Sequence, residues 1–276
     1  SSTNMNDGSK KAAKFIKCIK GREDQVVNEV NIMNKISHPN LLKLEFSLEC
    51  RPFYLIVSNF APFQNLYLFT TQKYPSGMPI HVAQKVMKQM VSAVNYLHNL
   101  GIWHRDIKPQ NFLVFNADIE NPYIVLADFG TAKECQEWQT ENKIVGTRNY
   151  MAPELINKQS YTKAVDIWAL GVTFYFILTC EYAFDFPGQN NEDEDYEKRI
   201  KSGDLNYDLL DQLNITDEPL DIIKKTCDIL PGTRITASDL QNYQWIKESE
   251  KTPTETEIAN HLGASIEYEY DNVGFI

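Results

Sequence analysis

The chain has 276 residues, enough for one large domain or two small ones. Its 43% hydrophobic and 23% charged residues suit a globular protein that buries a core without disulfides or structural metals. Twenty-seven basic against 37 acidic side chains give a formal net charge of −10, which disfavours nonspecific binding to nucleic acid or anionic membranes.

Residues 1–10 are polar and read as a loop. Lys11–Ile19 is short and apolar-rich and suits a strand. Glu23–Ile36 places Val26, Val30, Met33 and Ile36 at helical spacing, and His38-Pro39-Asn40 breaks that helix. Leu41–Leu48 and Pro52–Ser58 read as two further strands. From Ile80 the pattern turns helical: Val82, Val86, Met90, Val94 and Leu97 form one stripe, closed by Gly101. Short strands are predicted at Phe112–Phe115 and Tyr123–Ala127. Helices are predicted at 164–179, 217–229 and 237–248, the last opened by Thr236 with Asp239 three residues on, in the manner of a capping box. A strand-rich part therefore precedes a larger helical part, an arrangement that favours a ligand cleft between them.

The longest apolar run, Ile167–Cys180, is bounded by Asp166 and Glu181. It is too short to span a bilayer and reads as a buried core helix, so no transmembrane segment is expected. The five cysteines, Cys18, Cys50, Cys135, Cys180 and Cys227, are odd in number and never spaced C-x-x-C. They read as small buried side chains in a reducing, intracellular and cytoplasmic setting rather than as zinc ligands. No signal-peptide pattern opens the chain, and its start at Ser1 rather than Met suits a fragment or a processed product. The 12 glycines are scattered, with no G-x-x-x-x-G-K-[ST] and no G-x-G-x-x-G among them.

The most informative string is His104-Arg105-Asp106-Ile107-Lys108-Pro109-Gln110-Asn111. Asp106 can accept a hydroxyl proton, Lys108 can neutralise a transferring phosphoryl group, and Asn111 can offer a carbonyl oxygen to Mg²⁺. Asp128-Phe129-Gly130 follows an apolar strand. Asn111 and Asp128 together make a sensible Mg²⁺ site, since that ion takes few protein ligands beside substrate phosphates.

These strings, with Ala152-Pro153-Glu154 following in order, resemble the eukaryotic protein kinases. Gly146–Glu154 resembles a Ser/Thr-kinase substrate-docking loop, Asp166–Gly171 the start of the large lobe's buried helix, and Pro231–Thr236 the turn carrying the arginine partner of Glu154. The resemblance spans roughly residues 10–250. It implies an α+β bilobal protein kinase fold with a leader at 1–10, a small lobe at 11–60, a large lobe at 61–250 and an acidic tail at 251–276. It implies a serine/threonine kinase using ATP and Mg²⁺, with a scaffold or pseudokinase as the alternative. Residues around Ala12–Ile19 resemble the calcium/calmodulin-dependent group.

By the same resemblance, Asp106, Lys108 and Asn111 are catalytic. Lys14, from Lys11-Ala12-Ala13-Lys14, contacts the α- and β-phosphates, with Lys17 as the alternative register. Glu29 pairs with that lysine, Asn59 and Ala61 line the adenine site, Ser58 lies at its back, and Asp128 joins Asn111 at the metal. His104 is expected in the core near Phe129 and Met33, Asp166 on the backbone of the 104–106 turn, and Glu154 with Arg234 as a structural pair.

Family members carry a glycine-rich loop before the strand lysine, and Gly8 is the only glycine ahead of Lys14. Truncation and true absence of the loop compete, with the opening of the chain favouring truncation. Either way the sheet edge is expected to need a tail or partner over it. Arg105 calls for a counter-charge, which a phosphorylated activation-loop residue can supply. Thr131 and Thr140 are the hydroxyl candidates, but the usual place four residues before Thr147 holds Lys143, which favours reading Thr140 as a plain exposed threonine. Glu192–Asp195 reads as a solvated loop. Tyr196-Glu197-Lys198 nearby resembles the segment where basophilic kinases place a glutamate for substrate arginine, and with Gln110 in place of their second glutamate the resemblance implies a protein substrate with a mild basic preference. Ile266–Tyr270 alternates like a strand.

Overall fold

A computed structural model of the chain describes residues 2–3, 10–17, 23–116, 118–136, 139–185, 193–215 and 217–248. The first part is a four-stranded antiparallel sheet. Strand β1 is Ser2–Thr3, β2 is Lys10–Lys17, β3 is Leu44–Cys50 and β4 is Phe53–Asn59, in the order β1-β2-β4-β3. Strand β2 runs against β4 from Lys11 opposite Asn59 to Lys17 opposite Phe53. Because side chains alternate across a strand, Ala12, Lys14 and Ile16 share one face of β2.

Helix α1, Glu23–Lys35, turns Val26, Ile32 and Met33 inward, with Ile36 just beyond it. One acidic residue, Glu29, is buried in the same helix.

The second part is helical. Helix α2 (Leu66–Lys73) is capped by Asn65, whose side chain accepts from Leu68 N. Helix α3 (Ile80–Asn99) buries Val82, Val86, Met90, Val94 and Leu97, the stripe expected of it. Helix α5 (Ala164–Thr179) is buried on every side from Val165 to Thr179, as an apolar run flanked by acids requires. It follows the short α4 (Pro153–Ile156) and precedes α6 (Asp193–Ser202), α7 (Tyr207–Gln212) and α8 (Asp217–Thr226). No described helix is long and apolar enough to cross a membrane.

Several expectations need correction. Part of the polar leader is paired: Ser2 and Thr3 lie opposite Lys11 and Lys10, so the chain itself covers part of the β2 edge. Glu192 lies outside the described residues, and Asp193–Asp195 are not a plain loop, because α6 begins at Asp193. Its i,i+3 and i,i+4 pairs from Lys198 to Asp195 and Glu194 relieve the acidic cluster along the helix. The helix expected over 237–248 is two, α9 (Ala237–Asn242) and α10 (Gln244–Lys247). Tyr243 between them is extended, its hydroxyl bonded to Asp221 and Lys225 of α8. Docking there replaces one helical turn.

Cys135 and Cys227 are buried, but Cys50 is exposed at the end of β3. Cys18 and the alternating stretch 266–270 lie outside the described residues.

Candidate active site

Between α3 and α5 the chain builds a loop whose shape is set by one buried carboxylate. Strand β5 (Ile102–Trp103) leads into it and pairs with β8 (Lys133–Glu134). Asp166, in the first turn of α5, accepts from the backbone N–H of His104 at 2.9 Å and of Arg105 at 2.7 Å. It also lies 2.9 Å from His98 Nε2. Burial alone would push this carboxyl up, but the His98 contact and the Arg105 N–H hold it below the usual aspartate range. His104 is fully buried, 3.1 Å from the Ala127 carbonyl, with its ring edge-on to Phe129 at 5.4 Å. Burial pushes its pKa down, so it is a neutral core residue. Arg105 takes a left-handed backbone with φ of 66°, held there by the Asp166 bonds.

Asp106 follows immediately. Lys108 Nζ donates to Asp106 Oδ2 at 2.7 Å and Asn111 Nδ2 to the Asp106 carbonyl at 2.8 Å. Strands β6 (Phe112–Val114) and β7 (Ile124–Leu126) then form a hairpin with Phe112 opposite Leu126. That register continues outward as Ala127 N bonded to the Asn111 carbonyl at 2.8 Å. A separation of 17 residues in sequence is thereby closed, and Asn111 and Asp128 are brought to the same end of one hairpin.

The strand-rich part supplies the opposite wall. Lys14 Nζ lies 2.7 Å from Glu29 Oε1 and 3.2 Å from Asp128 Oδ1. Lys14, not Lys17, is therefore the lysine aimed at the helix glutamate. Partial burial lowers the Lys14 pKa, but Glu29 and Asp128 outweigh it and leave the pKa raised. Burial raises that of Asp128, while Lys14 and the Gly130 N–H draw it below the usual range. Asp128 has a φ of 63°, a left-handed conformation unusual for a non-glycine residue.

Between the walls lies a cleft of about 610 Å³. Lys14, Glu29 and Asp128 line its polar end. Ala12, Ser58, Asn59 and Ala61 line the part near the end of β4, and Leu113 and Ala127 the floor. Asn59 Oδ1 accepts from Lys11 Nζ at 2.9 Å. Lys14, Glu29, Ser58, Asn59, Ala61 and Asp128 thus line this cleft, while Asp106, Lys108 and Asn111 lie on the loop joined to the Asp128 end of the hairpin. Glu154 and Arg234 lie elsewhere, as a bidentate pair at 2.7 and 3.1 Å that is fully buried.

Two contributors were not singled out from sequence. Thr147 Oγ1 lies 2.8 Å from Asp106 Oδ1 and 2.6 Å from Lys108 Nζ, making a three-membered polar cluster around the Asp106 carboxylate. Its position beside Gly146 was the available signal: Gly146 has φ of 106°, and a Cβ there would come within 2.7 Å of the Arg105 carbonyl. The second is Glu141, which is 3.6 Å from Arg105 Nη1. No spacing rule connects those positions.

The family model described as the protein kinase domain matches residues 1–246. A probable serine/threonine-protein kinase fhkD of Dictyostelium discoideum is 32% identical over 248 residues, covering 86% of the chain and 32% of that protein. Calcium/calmodulin-dependent protein kinase type 1 of Caenorhabditis elegans is 30% identical over 230 residues, covering 83% of the chain and 64% of that protein. The chain thus spans about a third of the first relative and just under two thirds of the second. With a strand lysine paired to a helix glutamate across a cleft from an aspartate-bearing loop, and a family match over nearly the whole length, the chain belongs to the protein kinase domain family.

Proposed function

We propose that this chain is a protein serine/threonine kinase that transfers the γ-phosphoryl group of ATP to a protein hydroxyl. One observation carries the reading: Lys14 contacts Glu29 and Asp128 at once. The Lys14–Glu29 pair is one that phosphoryl transfer needs, and the Asp128 contact sets the carboxylate proposed for the metal beside it. The first relative is named a probable serine/threonine-protein kinase and the second a protein kinase, which supports the same reading.

The donors suit Mg²⁺. Asn111 uses Nδ2 internally, on Asp106, so the group it offers a cation is its carbonyl oxygen. Asp128 offers an ionised carboxylate. Two hard oxygen ligands are what Mg²⁺ takes from a protein when phosphates complete its shell. Mg²⁺, when bound there, neutralises phosphate charge. Lys14 holds the α- and β-phosphates and Lys108 the γ-phosphate. Asp106 accepts the hydroxyl proton as that oxygen attacks phosphorus and the bond to ADP breaks. Asn59 and Ala61 form the wall beside the adenine. Catalysis rests on positioning and charge rather than a covalent intermediate.

The substrate is a protein, with at most a mild basic preference. Glu197 is shared by Arg148 and Lys201 at 3.5 Å each, and Gln110 is neutral, so little negative charge is left over for a substrate arginine. An intracellular, cytoplasmic setting fits such a substrate.

The test is ATP-Mg²⁺ binding by thermal shift, together with autophosphorylation, on the parent protein and on Asp128→Asn. The parent should be stabilised by nucleotide with Mg²⁺ and incorporate phosphate, and the variant should lose both. A parent indifferent to nucleotide would refute the enzyme reading and leave the kinase-fold scaffold.

A further inference from the structure

Arg105 is a cation with an 8% exposed side chain, directly before the proposed catalytic Asp106. A charge so placed needs a partner. The structure supplies one from the loop that follows Gly130. Glu141, 15% exposed, lies with Oε2 3.6 Å from Arg105 Nη1. Its other oxygen, Oε1, is paired with Lys133 Nζ of β8. One carboxylate therefore ties the catalytic loop to the strand that leaves the Asp128 loop.

The backbone of Glu141 is fixed as well. It exchanges two hydrogen bonds with Tyr161, Glu141 N to Tyr161 O and Tyr161 N to Glu141 O, both at 2.9 Å. The Tyr161 hydroxyl accepts from Arg105 Nη1 at 3.2 Å and donates to the Lys143 carbonyl at 2.6 Å. Arg105 Nε donates to the Thr131 carbonyl at 2.8 Å. Glu141 and Lys143 are thus both tied to Arg105, directly or through Tyr161, by contacts between unmodified residues. Thr140, the hydroxyl next to Glu141, is exposed.

We infer that Glu141 is the resident counter-charge of Arg105, a positioning residue that orders this loop and holds Asp106 in place without phosphorylation of the loop. In chemical terms its carboxylate does what a phosphoryl group does when it orders a loop against an arginine. The inference rests on the kinase reading above for its activity readouts, while its structural readout is independent of that reading.

The experiment uses the full chain, treated with phosphatase and shown by mass spectrometry to carry no phosphate. Kinetics on a generic serine peptide are compared for the parent, Glu141→Gln, Glu141→Asp and Thr140→Ala. Amide hydrogen exchange over 104–111 and 139–147 is measured on the same proteins. The parent should keep its activity after phosphatase, and Thr140→Ala should match it. Glu141→Gln should lose about ten-fold or more in kcat with KM for ATP within about two-fold, the scale of one partly buried charge-assisted contact. Both segments should exchange faster in Glu141→Gln, and Glu141→Asp should recover part of each effect. Loss of parent activity on phosphatase treatment overturns the inference, and that arm holds even where Glu141→Gln does not fold. Parent-like exchange in Glu141→Gln overturns it too. A parent inactive before phosphatase treatment as well as after it, whose loop nevertheless loosens in Glu141→Gln, upholds the inference and refutes the kinase reading instead.

Discussion

Replacing Arg234 with methionine tests how the large helical part is held together. The Arg234 side chain is inaccessible to solvent and that of Glu154 is 2% exposed. Arg234 donates to both Glu154 oxygens, to the Asp228 carbonyl at 2.8 Å and to the Ala164 carbonyl at 2.9 Å. Its guanidinium carbon lies 5.2 Å from the centre of the Trp168 ring. Methionine keeps much of the volume but strands the buried Glu154 carboxylate and leaves two partly buried carbonyls without their donor. Breaking one member of a buried pair costs about 3–5 kcal/mol. At about 2–4 °C per kcal/mol for a chain of this size, the melting midpoint should fall by about 6–20 °C in a thermal unfolding assay. Adding Glu154→Gln removes the stranded charge, so the double variant should lose less than the sum of the two single losses. A midpoint for Arg234→Met within about 3 °C of the parent, or strictly additive losses, would show that the pair contributes little and would refute this reasoning.

Other predictions concern the site itself. Asp166 has a carboxyl held below its ordinary range, so its stabilising contribution is complete above the unfolded value of about 3.9 and is lost as pH falls towards the lower folded value. Asp166→Asn should destabilise the protein at neutral pH and flatten its acid-unfolding curve between about pH 4 and 2; an unchanged curve in urea titrations across that range counts against the assignment. Gly146→Ala forces a side chain onto a left-handed backbone and within 2.7 Å of the Arg105 carbonyl. It should cost about 1–3 kcal/mol and sharply lower peptide phosphorylation, so parent-like turnover would show that this turn does not position Thr147. Glu29→Gln removes the carboxylate 2.7 Å from Lys14 and should lower kcat without unfolding the chain, as judged by its circular dichroism and melting midpoint. Unaltered kcat would remove that pair from the mechanism.

Much of this was legible because the relevant signals are local. The α3 stripe of Val82, Val86, Met90, Val94 and Leu97 is a period read within one helix, and all five residues are buried. The run behind Asp166 is apolar on every face and became the central buried helix α5. Thr236 and Asp239 sit three residues apart, and Asp239 N bonds Thr236 Oγ1 at 3.1 Å. Where a local signal met a tertiary demand, the tertiary demand prevailed. Tyr243 broke a helix whose periodicity continued, because its hydroxyl reaches α8. The acids around Asp193 looked like a solvated loop, because a charge run carries no apolar period, yet they pair with Lys198 along a helix.

The amino-acid sequence by itself determined which chemical groups stand near one another along the chain: Asp106, Lys108 and Asn111 on one loop, and Asp128 after one strand. It also determined which faces seek the core, since burial follows a period of 2 or 3.6 residues. Only the tertiary structure decided which distant charges meet. Lys14 and Glu29 face each other because β2 and α1 dock with one particular rotation. Asn111 and Asp128 converge because Phe112 sits opposite Leu126. Arg234 finds Glu154 across 80 residues, and Arg105 finds Glu141 rather than the neighbouring Thr140. Ion pairs between distant segments depend on the relative placement of whole elements, a quantity with no periodicity in the chain.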